Sequence, residues 1–266
     1  MLYYKTYEQE ENKEWVVFIH GAGGSSNIWF RQIKYFQPHF NILLIDLRGH
    51  GKSAGKTDEA FSRKYTFKMI VEDVMEVLDH LKIEKSHLVG ISLGTIIIRH
   101  LSVMYPERAA SMILGGAITH FNTESRFWVG IGNAFKHVLP FIWLYKIFAF
   151  VMMPRKTHAE SRNVFIQEAR RLARKEFLRW FKLTNQVTGL LKRLQSWHPE
   201  IPTLYVMGEE DRLFLQPILD FIDDVKHVDL HIIKKCGHVV NVEKPSEFNK
   251  VSVQFILGQR EVPLLT

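Results

Sequence analysis

The chain has 266 residues, 46% of them hydrophobic and 24% charged, with no repeat or low-complexity tract. That composition excludes a disordered, fibrous or repeat protein and leaves room for one large domain, or one domain carrying an insertion, around a substantial core. The formal charge of +7 concentrates between Arg155 and Lys182, where nine lysines and arginines stand against three glutamates; without zinc-ligand spacings or aromatic RNA-binding motifs this stretch reads as a solvated helix face, and no nucleic-acid partner is expected.

The N-terminal "MLYYKTYEQEENKEWVV" has no basic segment followed by an apolar stretch of signal length, so a cytoplasmic protein is expected. The lone cysteine, Cys236, allows no intrachain disulfide, which fits that compartment, and its thiol has no visible activating partner. "LYYKTYEQE" alternates loosely and is expected to add an antiparallel edge strand. The runs "WVVFIH" (Trp15 to His20) and "FNILLID" (Phe40 to Asp46) are nearly continuous in apolar residues, as strands covered on both faces require. In "FKMIVEDVMEVLDHLKI", Ile70, Val74, Val77, Leu78 and Leu81 recur at steps of three and four and form one helical stripe. Strand-like runs continue with "HLVGI" (His87 to Ile91) and "SMILGG" (Ser111 to Gly116), the first followed by "TIIIRHLSVMY", which suits a helix. Such alternation predicts an α/β fold, a doubly wound and mainly parallel sheet with helices on both sides.

The alternation stops between about Thr119 and Pro199. This stretch holds the aromatic segment "VLPFIWLYKIFAFVMM" (Val138 to Met153), too short to span a bilayer and interrupted by Pro140 and Lys146, and read as an interfacial or lid segment. It also holds a helix whose one face carries Phe165, Ala169, Leu172, Ala173, Phe177 and Trp180 and whose other face is basic. Strands resume with "PTLYVMG" (Pro202 to Gly208) and "DLHIIKK" (Asp229 to Lys235). The expected organisation is therefore a sheet domain in two parts, 1–119 and 200–266, with a helical cap inserted at 120–199.

Chemistry concentrates where strands end. "LVGISLGTI" sets Ser92 between Gly90 and Gly94 at a strand-to-helix turn, where small neighbours permit close backbone approach and the central side chain stands exposed at the strand's carboxyl end. Ser92 is the candidate nucleophile, with the backbone N–H of Leu93 aimed at an anion formed beside it. A hydroxyl needs a base, and among thirteen histidines His238, in "CGHVVNVEKPSEF" just past the last predicted strand, is best placed to reach the sheet's carboxyl edge. A carboxylate must then hold the imidazole's tautomer. Asp211, in "YVMGEEDRL", is the preferred candidate, with Glu209, Glu210 and Glu124 as rivals. "FIHGAGGSSNIW" ends the first long strand in a small-residue loop in which Ala22 N–H is the second candidate donor to an oxyanion; the competing reading is a merely flexible glycine loop.

With "HGAGG", "DLRGHGKS", "GISLG", "GEEDRL" and "GHVVNVEKPSEF" in that order, the sequence resembles the α/β-hydrolase superfamily through nearly all of the chain outside the cap. The resemblance implies a cap inserted after the sixth of eight strands, no cofactor, and a structural rather than catalytic role for Asp46, Arg48 and His50. Serine at position 92 argues against the dehalogenase and epoxide hydrolase branches, which carry aspartate there. Val239 argues against the carbon–carbon bond hydrolases, which usually have tryptophan after the catalytic histidine. The expected activity is hydrolysis of a small-molecule carboxylic ester with an apolar acyl group, through an acyl-enzyme. A ligand-binding or signalling member of the same fold, a thioesterase and a carbon–carbon bond hydrolase are the alternatives. The aromatic and basic cap adds an expected transient contact with a membrane surface.

Overall fold

Seven strands form one sheet in the order β1-β3-β2-β4-β5-β6-β7, in a computed structural model that describes residues 1–9, 13–55, 65–196, 200–222, 225 and 227–258. They are β1 (Tyr3–Tyr7), β2 (Trp15–Ile19), β3 (Asn41–Asp46), β4 (Ser86–Ile91), β5 (Ala109–Gly115), β6 (Thr203–Gly208) and β7 (Val228–Ile233). Only β1 runs antiparallel, against β3, as the looser alternation of its sequence foretold. Every other neighbouring pair is parallel. The resemblance implied eight strands; seven are present among the described residues, and the inserted helices follow the fifth of these.

Helices cover both faces, and this explains the unbroken apolar runs. Within β2, Val17 and Ile19 pack into one core and Val16 and Phe18 into the other. The first core lies beneath α2 (Phe67–His80) and α3 (Leu93–Met104); the second takes in Phe36 of α1 (Phe30–Phe36) and Phe248 and Val251 of the C-terminal helix Pro245–Ile256. Thr66 caps α2, its hydroxyl accepting from Met69 N–H, and the sequence stripe Ile70, Val74, Val77 and Leu78 is fully buried there.

Between β5 and β6 the described residues form helices α4 (Thr123–Phe135), α5 (Phe141–Met152), α6 (Ala159–Ala169), α7 (Arg174–Lys182) and α8 (Thr184–Gln195). The stripe from Phe165 to Trp180, read as one helix, is divided between α6 and α7: the chain turns at 170–173, with Ala173 in extended conformation. Leu172 is buried in that turn, beside Ala169 of α6 and Phe177 of α7, in a small separate core with Leu144 and Tyr145. Both helices point their apolar sides at the same core, so the hydrophobic period runs on across the change of axis. Past β6 follow α9 (Leu215–Ile222), α10 (Val240–Glu243) and α11, the Pro245–Ile256 helix already described.

The chain leaves β2 toward β3 on one side and β4 toward β5 on the other, while β2 and β4 lie side by side. Their carboxyl ends therefore bound a crevice at a topological switch point, where open α/β sheets bind ligands. The loop after β2 and the turn after β4 are the two segments singled out in the sequence for oxyanion donor and nucleophile.

Candidate active site

Ser92 stands between β4 and α3 with φ 53° and ψ −120°, a left-handed conformation that costs a non-glycine residue of the order of 1–3 kcal/mol. The turn is held from both sides. Ser92 N–H donates to Gly115 O at 3.0 Å, and Ser92 O accepts from both the N–H and the hydroxyl of Thr95, at 2.9 and 2.6 Å. Glycine at 94 is a matter of space: a Cβ there would lie 2.3 Å from Ile19 O and 2.9 Å from His20 O, both backbone atoms of β2 and the loop beyond it. The contact seats the start of α3 against β2, and Ser92 is left half-buried at its N-terminus.

His238 and Asp211, both 1% exposed, reach Ser92 from the loops beyond β7 and β6. The hydroxyl of Ser92 lies 2.9 Å from His238 Nε2, and His238 Nδ1 lies 2.7 Å from Asp211 Oδ2. A carboxylate only accepts, so Nδ1 carries the proton and Nε2 is left to accept from the serine. Asp211 is itself fixed by Phe214, whose N–H donates to Oδ1 at 3.3 Å and whose ring packs 5.2 Å from the imidazole. The rival carboxylates turn elsewhere. Glu209 accepts from Lys235 N–H, Glu210 pairs with Arg155 and His158, and Glu124 faces Arg212.

Ala22 and Leu93 line one cavity together with Ser92. The loop bearing Ala22 is braced by two buried histidines, His50, which the resemblance marked as structural, and His20 at the start of the loop itself. Gly23 N–H donates to His50 Nε2 at 3.0 Å while His50 Nδ1–H bonds Arg48 O, and Leu47 N–H donates to His20 Nε2 while His20 Nδ1–H bonds Gly21 O. Asp46 accepts from Ser26 and Lys52 N–H groups, and Arg48 grips Asp73 through two 2.6 Å bonds. Each acts on its own neighbourhood, and none reaches Ser92.

Burial pushes His50 down to about 3, helped by repulsion from His20, and lowers His20 as well. Both stay neutral in the fold where an unfolded histidine would gain a proton below about 6.5. The unfolded state thus binds more protons between the two values, and stability falls as pH drops through that window. Urea unfolding from about pH 6.5 to pH 4 is expected to lose roughly 1.4 kcal/mol per pH unit from His50 alone. A His50→Gln variant, whose amide oxygen still accepts from Gly23, should show a slope shallower by that amount; an unchanged slope means that His50 is protonated in the fold.

The cavity of about 220 Å³ above Ser92 is walled by Trp128, Phe148, Met152, Phe165, Phe177 and Phe181 from the inserted helices, and by Ile96, Ile118 and Phe214 from the sheet domain. No lysine, arginine, aspartate or glutamate lines it. Of the large apolar side chains between residues 127 and 152, Trp128, Phe148 and Met152 line this cavity; Phe141 packs against the small core of the inserted helices, and Phe127, Phe135, Trp143 and Phe150 are exposed.

Sequence reasoning missed how these helices are fastened down. Glu168 and Glu176, read as part of a solvated face, are buried: Ser25 Oγ–H donates to Glu168 and Tyr65 O–H to Glu176, both at 2.5 Å, and Arg179 also pairs with Glu176. Trp180 donates its indole N–H to Arg48 O and stands edge-on to His50. The inserted helices thus rest on the loop that holds Gly23. Of the other histidines weighed as the base, His87 bonds Ser111 and His158 bonds Glu210, while His198 lies outside the described residues. Burial raises the Cys236 thiol, which keeps it protonated and unreactive at neutral pH. Among the described residues no group of three histidine, cysteine or acidic side chains is placed to hold a metal ion, and no helix is long and apolar enough to cross a membrane.

A family model for the alpha/beta hydrolase fold matches residues 14–141, which run from β2 through the Ser92 turn into α5. The chain has the alpha/beta-hydrolase fold. A putative 2-succinyl-6-hydroxy-2,4-cyclohexadiene-1-carboxylate synthase of Bacillus subtilis is 27% identical over 252 residues, covering 91% of this chain and 90% of its own. A 2-hydroxy-6-oxo-6-phenylhexa-2,4-dienoate hydrolase of Comamonas testosteroni is 25% identical, with 94% and 90% covered. Among solved structures, a chain from work on carboxylesterases of the thaumarchaeon Nitrososphaera gargenis superposes with a TM-score of 0.78 at 20% identity, over 96% of this chain and 93% of that one. These relatives span a synthase, a hydrolase and carboxylesterases, so the likeness defines the fold, while the substrate depends on this chain's own cavity.

Proposed function

We propose that this α/β-hydrolase-fold protein is a serine esterase acting on uncharged carboxylic esters with an apolar acyl group. The observation that carries the reading is the line of hydrogen bonds Ser92–His238–Asp211 at the floor of an apolar cavity. Ser92 Oγ attacks the ester carbonyl while His238 Nε2 takes its proton, and Asp211 stabilises the imidazolium that forms. Ala22 N–H and Leu93 N–H receive the developing oxyanion, each such donor contributing roughly 3 kcal/mol in comparable enzymes. Collapse expels the alcohol, which takes the proton from His238. Water then attacks the acyl-enzyme with His238 again as base, and the acid leaves. The helices of residues 120–199 act as the cap that roofs this chemistry, dividing the sheet domain into 1–119 and 200–266.

Uncharged substrates are favoured over the acids named for the two curated relatives because the cavity offers no arginine or lysine to pair a carboxylate, and an unpaired charge buried among aromatic rings is costly. Val239, where carbon–carbon bond hydrolases usually carry tryptophan, points the same way.

A series of p-nitrophenyl esters graded by acyl length tests the reading. Each added methylene gains about 0.8 kcal/mol of burial, so kcat/KM should rise about fourfold per carbon until the cavity is full and then fall. Flat dependence on length removes the cavity from acyl recognition. Labelling of wild type by a fluorophosphonate, absent in Ser92→Ala, tests the nucleophile itself.

A further inference from the structure

Helix α5, "FIWLYKIFAFVM", is apolar nearly all round, and such helices are ordinarily enclosed on every side. Here one side is enclosed: Leu144, Tyr145 and Ala149 are buried, and Phe148 and Met152 wall the cavity. The other side stands in water, with Trp143 60% and Phe150 56% exposed. Helix α4 repeats the arrangement. Its Trp128 and Val129 line the cavity, while Phe127, Phe135 and, just beyond the helix end, Val138 are exposed. Five of the nine large apolar side chains exposed among the described residues fall between residues 127 and 150. Scattered exposed hydrophobes are normal, but five within 24 residues, on two consecutive helices and the turn between them, are a concentration that calls for an occupant.

Along the sequence that carries these side chains, between Glu124 and Glu160, the charges have one sign. From Ser125 to Ala159 the sequence contains no aspartate or glutamate but includes Arg126, Lys136, Lys146, Arg155 and Lys156. Arg155 pairs with Glu210; Lys136 bonds Asn133 and lies over the Phe181 ring; Arg126, Lys146 and Lys156 have no acidic partner among the described residues. A second copy of the chain is a poor occupant for this face. Two-fold pairing would set the same patch against itself and bring its cations together with no acid to separate them. A surface that is apolar within and negatively charged at its boundary matches both features, and a 12-residue helix of about 18 Å is long enough to lie in such an interface and too short to cross it.

We infer that the outer face of α4 and α5 docks on anionic lipid bilayers, with Phe127, Phe135, Val138, Trp143 and Phe150 entering the interface and Arg126, Lys136, Lys146 and Lys156 meeting the headgroups. The same two helices form a wall of the cavity from their inner sides, so docking sets the cavity wall directly behind the lipid surface.

Co-sedimentation at low salt tests this with full-length protein and vesicles of phosphatidylcholine alone or mixed with phosphatidylglycerol. Wild type should partition strongly to the mixed vesicles and weakly to the neutral ones. Lys146→Gln should weaken the mixed-vesicle partition about fivefold, the worth of one cation near such a surface. The double variant Trp143→Ser, Phe150→Ser should abolish binding to both while keeping the wild-type melting temperature, because these side chains are exposed. Ser92→Ala should bind as wild type does, whichever way the question of catalysis is decided. Failure of wild type to sediment, equal binding by the serine double variant, or a lipid-free dimer dispersed by that variant would each overturn the inference.

Discussion

Replacement of Ser92 by alanine is expected to lower kcat for ester hydrolysis by about a millionfold, the effect of deleting a nucleophile whose partners act only through it. A second consequence separates a strained nucleophile from an ordinary turn serine. At φ 53° and ψ −120° any residue with a Cβ is strained, whereas glycine occupies the region freely. Alanine and glycine at position 92 both lack the hydroxyl, so their difference in stability isolates the backbone. At an unstrained position alanine is favoured over glycine by roughly 0.5–1 kcal/mol, because glycine has more freedom to lose on folding. At 92 the order should invert, with Ser92→Gly more stable than Ser92→Ala by about 1 kcal/mol. Urea unfolding of the two inactive variants reads the difference. Alanine coming out ahead would mean that the turn relaxes once the hydroxyl is gone, and that no strain is held there for the sake of presenting the side chain.

Most of the sheet was legible because burial on both faces writes itself as nearly unbroken apolar runs; five such runs, and the more polar "DLHIIKK" of the half-buried β7, each match a strand to within two residues at either end. Ser92 was legible for a steric reason: the 2.3 Å that would separate a Cβ at position 94 from Ile19 O forces a glycine into the sequence. Choosing among Glu209, Glu210 and Asp211 was another matter. The three adjacent carboxylates fan out of one turn toward Lys235, toward His158 with Arg155, and toward His238, and nothing in their order announces which faces inward. The inserted helices were the least legible part. An all-apolar helix such as α5 has no unique face, so pocket-lining Phe148 and exposed Phe150 look alike in sequence. Glu168 and Glu176 were hidden for the converse reason. A charged residue in a basic stretch reads as solvated, and their burial depends on Ser25 and Tyr65, donors 143 and 111 residues away.

Asp211→Asn should leave the fold intact and lower kcat by about ten-thousandfold, through the tautomer of His238 rather than through its position. The two carboxylate oxygens have different partners: Oδ1 accepts from Phe214 N–H and Oδ2 faces His238 Nδ1. An asparagine must keep an oxygen toward Phe214, since an amide NH₂ there would confront another donor, and this turns its NH₂ toward Nδ1. Nδ1 then has to accept, the ring proton moves to Nε2, and the nitrogen beside Ser92 becomes a donor that cannot take the hydroxyl proton. Glu210 cannot substitute, because its oxygens are held by His158 and Arg155 and its backbone turns it away from the ring. KM should change little, as Asp211 does not line the cavity, and fluorophosphonate labelling of Ser92 should slow in parallel with kcat. A loss smaller than about a hundredfold would show that the imidazole keeps its working tautomer without Asp211, and would remove that carboxylate from the proton-passing line.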